Sequence, residues 1–263
     1  MKISINSPSY RRATEVKILD YLPFCRIWVD KSEATEYRKH NPNAEIIECL
    51  DGVQGNTSRI RNYILRQEFK RGVDVVVLMD DDVRYLERFC EGANKFGYER
   101  VKIPSEDILP LIEKYSIMAA DIGAKMWGVN CNSDGRGYMQ QRPFNTTSFI
   151  GGPFQVFLKG NRCWYDEAIP LKEDYDMVLQ QLNLERIVLR VNAIHYICEQ
   201  SKNKGGCAVY RNRIREAEQF NLLQAKWGSQ IVQRDNGAKE RNTKKSRLFE
   251  DYNPIIKPPI RGV

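Results

Sequence analysis

Three adjacent carboxylates, Asp80-Asp81-Asp82, follow directly on the apolar run Val73–Met79. Three neighbouring anions repel one another and cost stability unless a cation or hydrogen bonds offset them. At the end of a strand alternate residues point the same way, so Asp80 and Asp82 can share one task while Asp81 points elsewhere. Carboxylate oxygens of this kind suit Mn²⁺ or Mg²⁺, and such an ion can neutralise a diphosphate. A solvated acidic turn is the plain alternative; the buried-type strand before it favours the metal. The chain has only two histidines, His40 and His195, so a multi-histidine metal site is excluded. A second acidic group, Lys172-Glu173-Asp174-Tyr175-Asp176, opens a helix. Acidic residues are favoured in a helix's first turn by the dipole alone. The preceding Gly151-Gly152 turn and Trp164-Tyr165-Asp166 would nevertheless suit a ligand pocket.

The elements that must position these groups alternate along the chain. Lys2–Ile5 reads as a strand, Thr14–Leu22 as a helix, Cys25–Val29 as a strand and Glu33–Lys39 as a helix. Ala44–Cys49 is a third strand, and Thr57 or Ser58 can cap a helix running through Phe69. Val73–Met79 is apolar apart from Asp74 and rich in β-branched valine, the mark of a central strand buried on both faces. Such βαβα order predicts an α/β fold with a mostly parallel central sheet covered by helices on both sides. In open sheets of this type ligands sit at the carboxyl ends of the strands. Four polar stretches, Ser7–Arg12, Asp30–Ser32, Asp51–Asn56 and Asp80–Asp82, fall there. Further on, Ser105–Ile117 reads as a helix and Lys125–Asn130 and Gln155–Leu158 as strands. Glu173–Leu182 is helical, Ile187–Ala193 a strand, and Val209–Trp227 a long charged helix. Residues 1–227 form the expected domain, and 228–263 a basic, Pro-ending tail that is flexible or docks onto it.

Charge is unevenly placed. The chain of 263 residues carries a net charge of +7. Residues 202–247 alone hold 12 Lys/Arg against 4 Asp/Glu. A near-neutral body with a basic C-terminal region points to a polyanion such as nucleic acid, because clustered cations release counterions from phosphates. Seven scattered cysteines without a CxxC pair argue for free thiols in a reducing cytoplasm. No apolar run approaches the roughly 18–20 residues of a membrane helix, and no export signal opens the chain.

In this order and on these elements, the motifs resemble the GT-A glycosyltransferases, with their Rossmann-like three-layer fold. Asp80-x-Asp82 after an apolar strand looks like their DxD motif, which binds a nucleotide-sugar through a divalent metal. Ile3–Arg11 is similar to their first strand and turn, and Gly55-Asn56-x-x-Arg59-x-Arg61-Asn62 to their helix start. Glu173-Asp174 resembles the element whose aspartate deprotonates the acceptor in inverting members, with Glu173 or Asp176 orienting it. His195 resembles the C-terminal histidine that completes the metal site. More narrowly, the stretch from Ile3 to about Trp227 resembles the TET-associated glycosyltransferases of bacteriophages, including Met126–Asn130, Phe149–Phe154 and Leu171–Asp176. The resemblance implies transfer from a UDP-sugar to 5-hydroxymethylcytosine in DNA, in the cytoplasm of the host cell if the chain is phage-encoded. It places Mn²⁺ or Mg²⁺ on Asp80, Asp82 and His195, and the base at Asp174. Ser7, Arg11, Asp30, Arg61, Asp80 and Asp81 would hold the nucleotide, and region 202–247 the DNA.

Other classes fit less well. A nucleotidyltransferase would show a Gly-rich loop after the first strand, and Ser7–Arg12 has arginines but no glycine. A metal nuclease has no use for the Arg61-Asn62 helix, and a non-catalytic DNA-binding protein leaves the aspartate triplet as an uncompensated electrostatic cost. A glycosyltransferase acting on a polysaccharide or protein is the main alternative, and it predicts no salt-sensitive DNA binding.

Overall fold

The computed structural model describes residues 1–92, 97–134, 138–198, 206–235 and 252–260. A ten-stranded sheet organises the chain. Its first half is built as the sequence predicts. β1 (Ile3–Pro8) lies between β2 (Arg26–Asp30) and β4 (Val75–Met79), all parallel, and β3 (Ile46–Cys49) extends β2 in the same sense. All five residues of β4 are buried. Val75, Val77 and Met79 enter one apolar layer, Val76 and Leu78 the other, as the two-residue period of a strand requires.

The second half carries the departures. β5 (Val83–Glu91) and β6 (Tyr98–Lys102) form where the sequence reading placed no strand. From β4 the sheet continues through β9 (Phe154–Leu158), β7 (Met126–Asn130), β10 (Leu189–Cys198), β5 and β6. The short β8 (Phe144–Asn145) pairs with β10. Among the described residues β5, β8 and β9 run against the other strands, so the sheet is mixed but mostly parallel.

Helices close both faces. α1 (Ile18–Tyr21), α2 (Ala34–His40) and α4 (Ile108–Asp121) cover one side, and α3 (Thr57–Lys70) and α5 (Glu173–Leu184) the other. α6 (Arg213–Trp227) packs outside α5 through Phe220 and Leu223. α1 is shorter than the expected Thr14–Leu22. The cap of α3 is Asn56, whose side chain accepts from the Arg59 amide at 3.0 Å, one residue earlier than the Thr57 or Ser58 expected. β10 runs past Ala193, which puts His195 inside the sheet.

The described parts of the tail are docked. β11 (Val232–Arg234) pairs antiparallel with β12 (Pro254–Ile256), Val232 is buried, and Ile256 and Ile260 pack on the α3–α5 side. Of the basic region, residues 202–205 and 236–247 lie outside the described residues, Lys202 and Lys204 among them. No described helix is long and apolar enough to cross a membrane.

Candidate active site

The parallel strands deliver their carboxyl ends to one edge, and the antiparallel β9 brings the Gly151–Pro153 turn to the same place. The Asp80 amide donates to the Pro153 carbonyl at 3.2 Å, and the Ile18 amide to the Asp81 carbonyl at 3.1 Å. The Asp80–Asp82 turn is therefore held from both sides by backbone.

Its three carboxylates have separate fates. Asp81 is turned inward: Arg12 reaches it at 2.6 Å and the Ser9 hydroxyl at 2.5 Å, while Tyr37 bonds Ser9 at 2.8 Å. Burial raises the pKa of Asp81, and Arg12 and Ser9 oppose that rise. Asp80 is a third exposed and pairs with Arg61 at 2.7 Å. Asp82 is half-buried; burial, then the charges of Asp80 and Asp81, push its pKa up to about 7.

Arg61 is the hub beneath this edge. Its side chain is 2% exposed, and it joins Asp80 to Gln155 at 3.1 Å and to Glu173 at 3.8 Å. Burial disfavours its charge, but Asp80, Tyr165, Glu173 and Asp174 more than offset that and hold the guanidinium cationic. Gly152 lies over it, where a Cβ would stand 3.2 Å from the guanidinium nitrogens, so any side chain would crowd the hub. The Gly152 amide donates to Asp174 Oδ2 at 3.2 Å, and the Tyr175 amide to Oδ1 at 2.9 Å. Glu173 is buried, and burial followed by the charge of Asp174 raises its pKa to about 8, against the pull of Arg61. Burial raises that of Asp174 as well, with Arg61 and the Gly152 amide opposing. Two adjacent carboxyls thus differ in role. Burial and its neighbour's charge favour the protonated form of Glu173, whereas two amides and Arg61 oppose that rise at Asp174.

The structure thus brings Asp80, Arg61, Glu173 and Asp174 together, with Asp82 beside Asp80 in the same turn. Arg61 does so from below, as the organiser of the carboxylates rather than as a group open to a nucleotide. Other expected positions lie elsewhere. Ser7 is buried within β1 and presents nothing to the cleft, and Asp81 is spent on Arg12. His195 is 0% exposed and stands opposite Glu87, its Nε2 3.3 Å from that carboxylate, with Phe89 packed on its ring at 4.7 Å. It lies three residues before Cys198, the partner of Val83, or about 10 Å back along the strand from the aspartate turn. That register separates His195 from Asp82. Asp176 is likewise buried away from Asp174, on Lys226 at 2.9 Å and the Trp227 indole at 2.8 Å. Asp30 caps the turn after β2 through the Ser32 amide at 2.9 Å. Arg11 lies beside it in the left-handed region, with φ of 57°, and its amide donates to Glu33 at 2.9 Å. Sequence reasoning missed Arg12, Ser9 and Gln155 as partners of the site. Ser9 and Arg12 are polar residues just after β1 and Gln155 is a polar residue within β9, signals too common to single out.

The profile of the TET-associated glycosyltransferase family matches residues 24–206, more than half of the chain. The chain belongs to the TET-associated glycosyltransferase family. Asp80–Asp82, Arg61 and Asp174 lie within the matched span, whereas β1, Arg12 and α6 lie outside it. No curated protein matches the chain. Among solved structures it is similar to TarS 1–349 of S. aureus, at 14% identity and TM-score 0.48, over 86% of this chain and 65% of that one. The same TarS fragment in complex with UDP gives 14% identity and TM-score 0.45, over 74% and 59%. A197 from STIV gives 11% identity and TM-score 0.43, over 78% and 89%. The chain thus spans under two thirds of the TarS chains.

The oxygen donors at this edge can be tested for a fit to a divalent cation. Among the described residues no cluster of three or more His, Cys, Asp or Glu side chains is arranged as a metal cage. Asp82, whose proton affinity is raised partly by two neighbouring anions, and Asp80 remain as oxygen donors. They suit an ion that completes its shell with substrate phosphate and water, as Mg²⁺ does.

Proposed function

We propose that this glycosyltransferase moves a sugar from a UDP-sugar to the hydroxymethyl group of 5-hydroxymethylcytosine in DNA, with inversion. The observation that carries the reading is Arg61, which ties the end of β4 at Asp80 to the first turn of α5 at Glu173. Donor-side and acceptor-side carboxylates thereby share one cleft. Asp174 accepts the proton of the acceptor hydroxyl as that oxygen bonds to the anomeric carbon and the bond to the diphosphate breaks. Its burial makes it a stronger base than a surface aspartate. The amides of Gly152 and Tyr175 keep its carboxylate oriented. Mn²⁺ or Mg²⁺ held by Asp80 and Asp82 would supply charge neutralisation for the leaving diphosphate. Arg11 and Asp30 lie at the β1 and β2 ends, where a nucleotide would be held. Arg213 and Arg215, exposed at the start of α6, suit phosphates of a DNA acceptor.

The test is mass spectrometry of nucleosides from 5-hydroxymethylcytosine-containing DNA incubated with the protein, Mn²⁺ and a panel of UDP-sugars, beside Asp174→Asn. A hexose or N-acetylhexosamine mass gain with the wild type alone supports donor, acceptor and base together. Hydrolysis of UDP-sugar without gain on DNA moves the acceptor to a polysaccharide or protein.

A further inference from the structure

α6 lies beyond the span that matches the family, yet one of its faces is directed at the residues on either side of Asp174. Glu216, Gln219, Phe220, Leu223, Lys226 and Trp227 recur at the three- and four-residue spacing of a single helix face. Lys226 and Trp227 grip Asp176, two residues after Asp174. Gln219 accepts from the Leu171 amide at 3.3 Å. At the near end Glu216 meets Lys172, the residue that leads into α5, with Nζ 2.5 Å from the carboxylate. Both side chains are 1% exposed. Asn253, beside β12, approaches the same ammonium at 3.4 Å, and Arg211 pairs with the second Glu216 oxygen at 2.6 Å.

A fully buried lysine beside the base would suffice for stability if paired with any nearby anion. Here the anion comes from α6, which packs on α5, so the pair ties the residue just before Glu173 and Asp174 to a second helix. A carboxylate displaced by about 1 Å in an active site can cost about 100-fold in rate. We propose that Glu216 is a positioning residue of the transferase, which through Lys172 sets the first turn of α5 and so the aim of Asp174. The proposal rests on the reading of Asp174 as the base.

Three full-length proteins decide it: wild type, Glu216→Gln, and the double variant Lys172→Met/Glu216→Leu, which removes both charges and keeps the volume. Each is measured for Tm, for kcat and KM with UDP-glucose and UDP-N-acetylglucosamine, and for exchange of the Gly152 amide, which bonds Asp174. Positioning predicts that kcat falls about 100-fold in both variants while KM for the donor stays within about twofold. It also predicts that Gly152 exchanges faster in both, although the double variant regains wild-type Tm. Recovery of kcat and Gly152 protection along with Tm in the double variant overturns the proposal and makes the pair purely structural. A wild type that turns over no nucleotide-sugar refutes the transferase reading instead, and Gly152 exchange then still decides whether Glu216 aims Asp174.

Discussion

The two acidic turns, Asp80–Asp82 and Glu173–Asp176, divide their charges in the same way. Each commits one carboxylate to the interior and presents others to the cleft. Asp81 goes to Arg12 and Ser9, Asp176 to Lys226 and Trp227. They differ in how the remaining charge is managed. At the β4 end, Asp80 takes Arg61 and Asp82 is left with like charges beside it. At α5 the helix start supplies amides, and Glu173 retains its proton. The first turn thus leaves carboxylates that repel one another, whereas the second holds one carboxylate by two amides.

The largest expected effect separates the members of the second turn. Asp174→Asn should lower transfer by about 100-fold or more, as loss of a general base does, with Tm close to wild type. Asp176→Asn should do the reverse in kind. It weakens the buried acceptor of the Trp227 indole and leaves Lys226 with Asp166 as its carboxylate partner, and should cost about 1–3 kcal/mol of stability in denaturant titration. If both variants instead lose activity and stability together, the division within that turn is wrong.

Next in size is the matching contrast at the first turn. Asp81→Asn should destabilise by about 3 kcal/mol, because it removes the buried carboxylate that pairs with Arg12. Asp82→Asn should leave Tm unchanged or raise it, since it removes a repelled charge, and should abolish any rise in Tm caused by Mn²⁺ with UDP. A persisting Mn²⁺ response in Asp82→Asn would sink its role as a cation donor.

A smaller effect concerns pH. Folded Glu173 holds its proton to about pH 8, whereas an unfolded glutamate loses it near 4.5. Between those values the folded state binds more protons, so this group's stabilisation is complete below about 4.5 and is lost as pH rises through about 8. Glu173→Gln should therefore flatten the fall in Tm between about pH 5 and 8. The smallest effect expected is at His195. Replacing it with asparagine should leave the Mn²⁺ response unaltered, because β10 carries it away from the aspartate turn; a lost response would restore it as a ligand.

Much of the parallel half was legible. β1 to β4 and α3 announce themselves by apolar runs closed by polar turns, and β7, β9 and α5 fall within a few residues of their expected places. β5 was not legible. Val83-Arg84-Tyr85-Leu86-Glu87-Arg88-Phe89-Cys90-Glu91 follows neither a two-residue nor a helical period, and its buried positions are Val83, Leu86 and Phe89. Without β5, the length of β10 and the burial of His195 could not be read.

The sequence by itself determined that carboxylates would gather at the ends of strands, because the alternation of apolar strands and helices leaves that edge to polar residues. It determined too that Asp80 and Asp81 would point differently, since successive strand residues do. Which carboxylate would stay open was decided only by tertiary structure. The partners that settle it, Arg12 for Asp81, Arg61 for Asp80 and Lys226 for Asp176, come from 69, 19 and 50 residues away. A local pattern carries no information about contacts at that range, and electrostatic energy depends on them steeply.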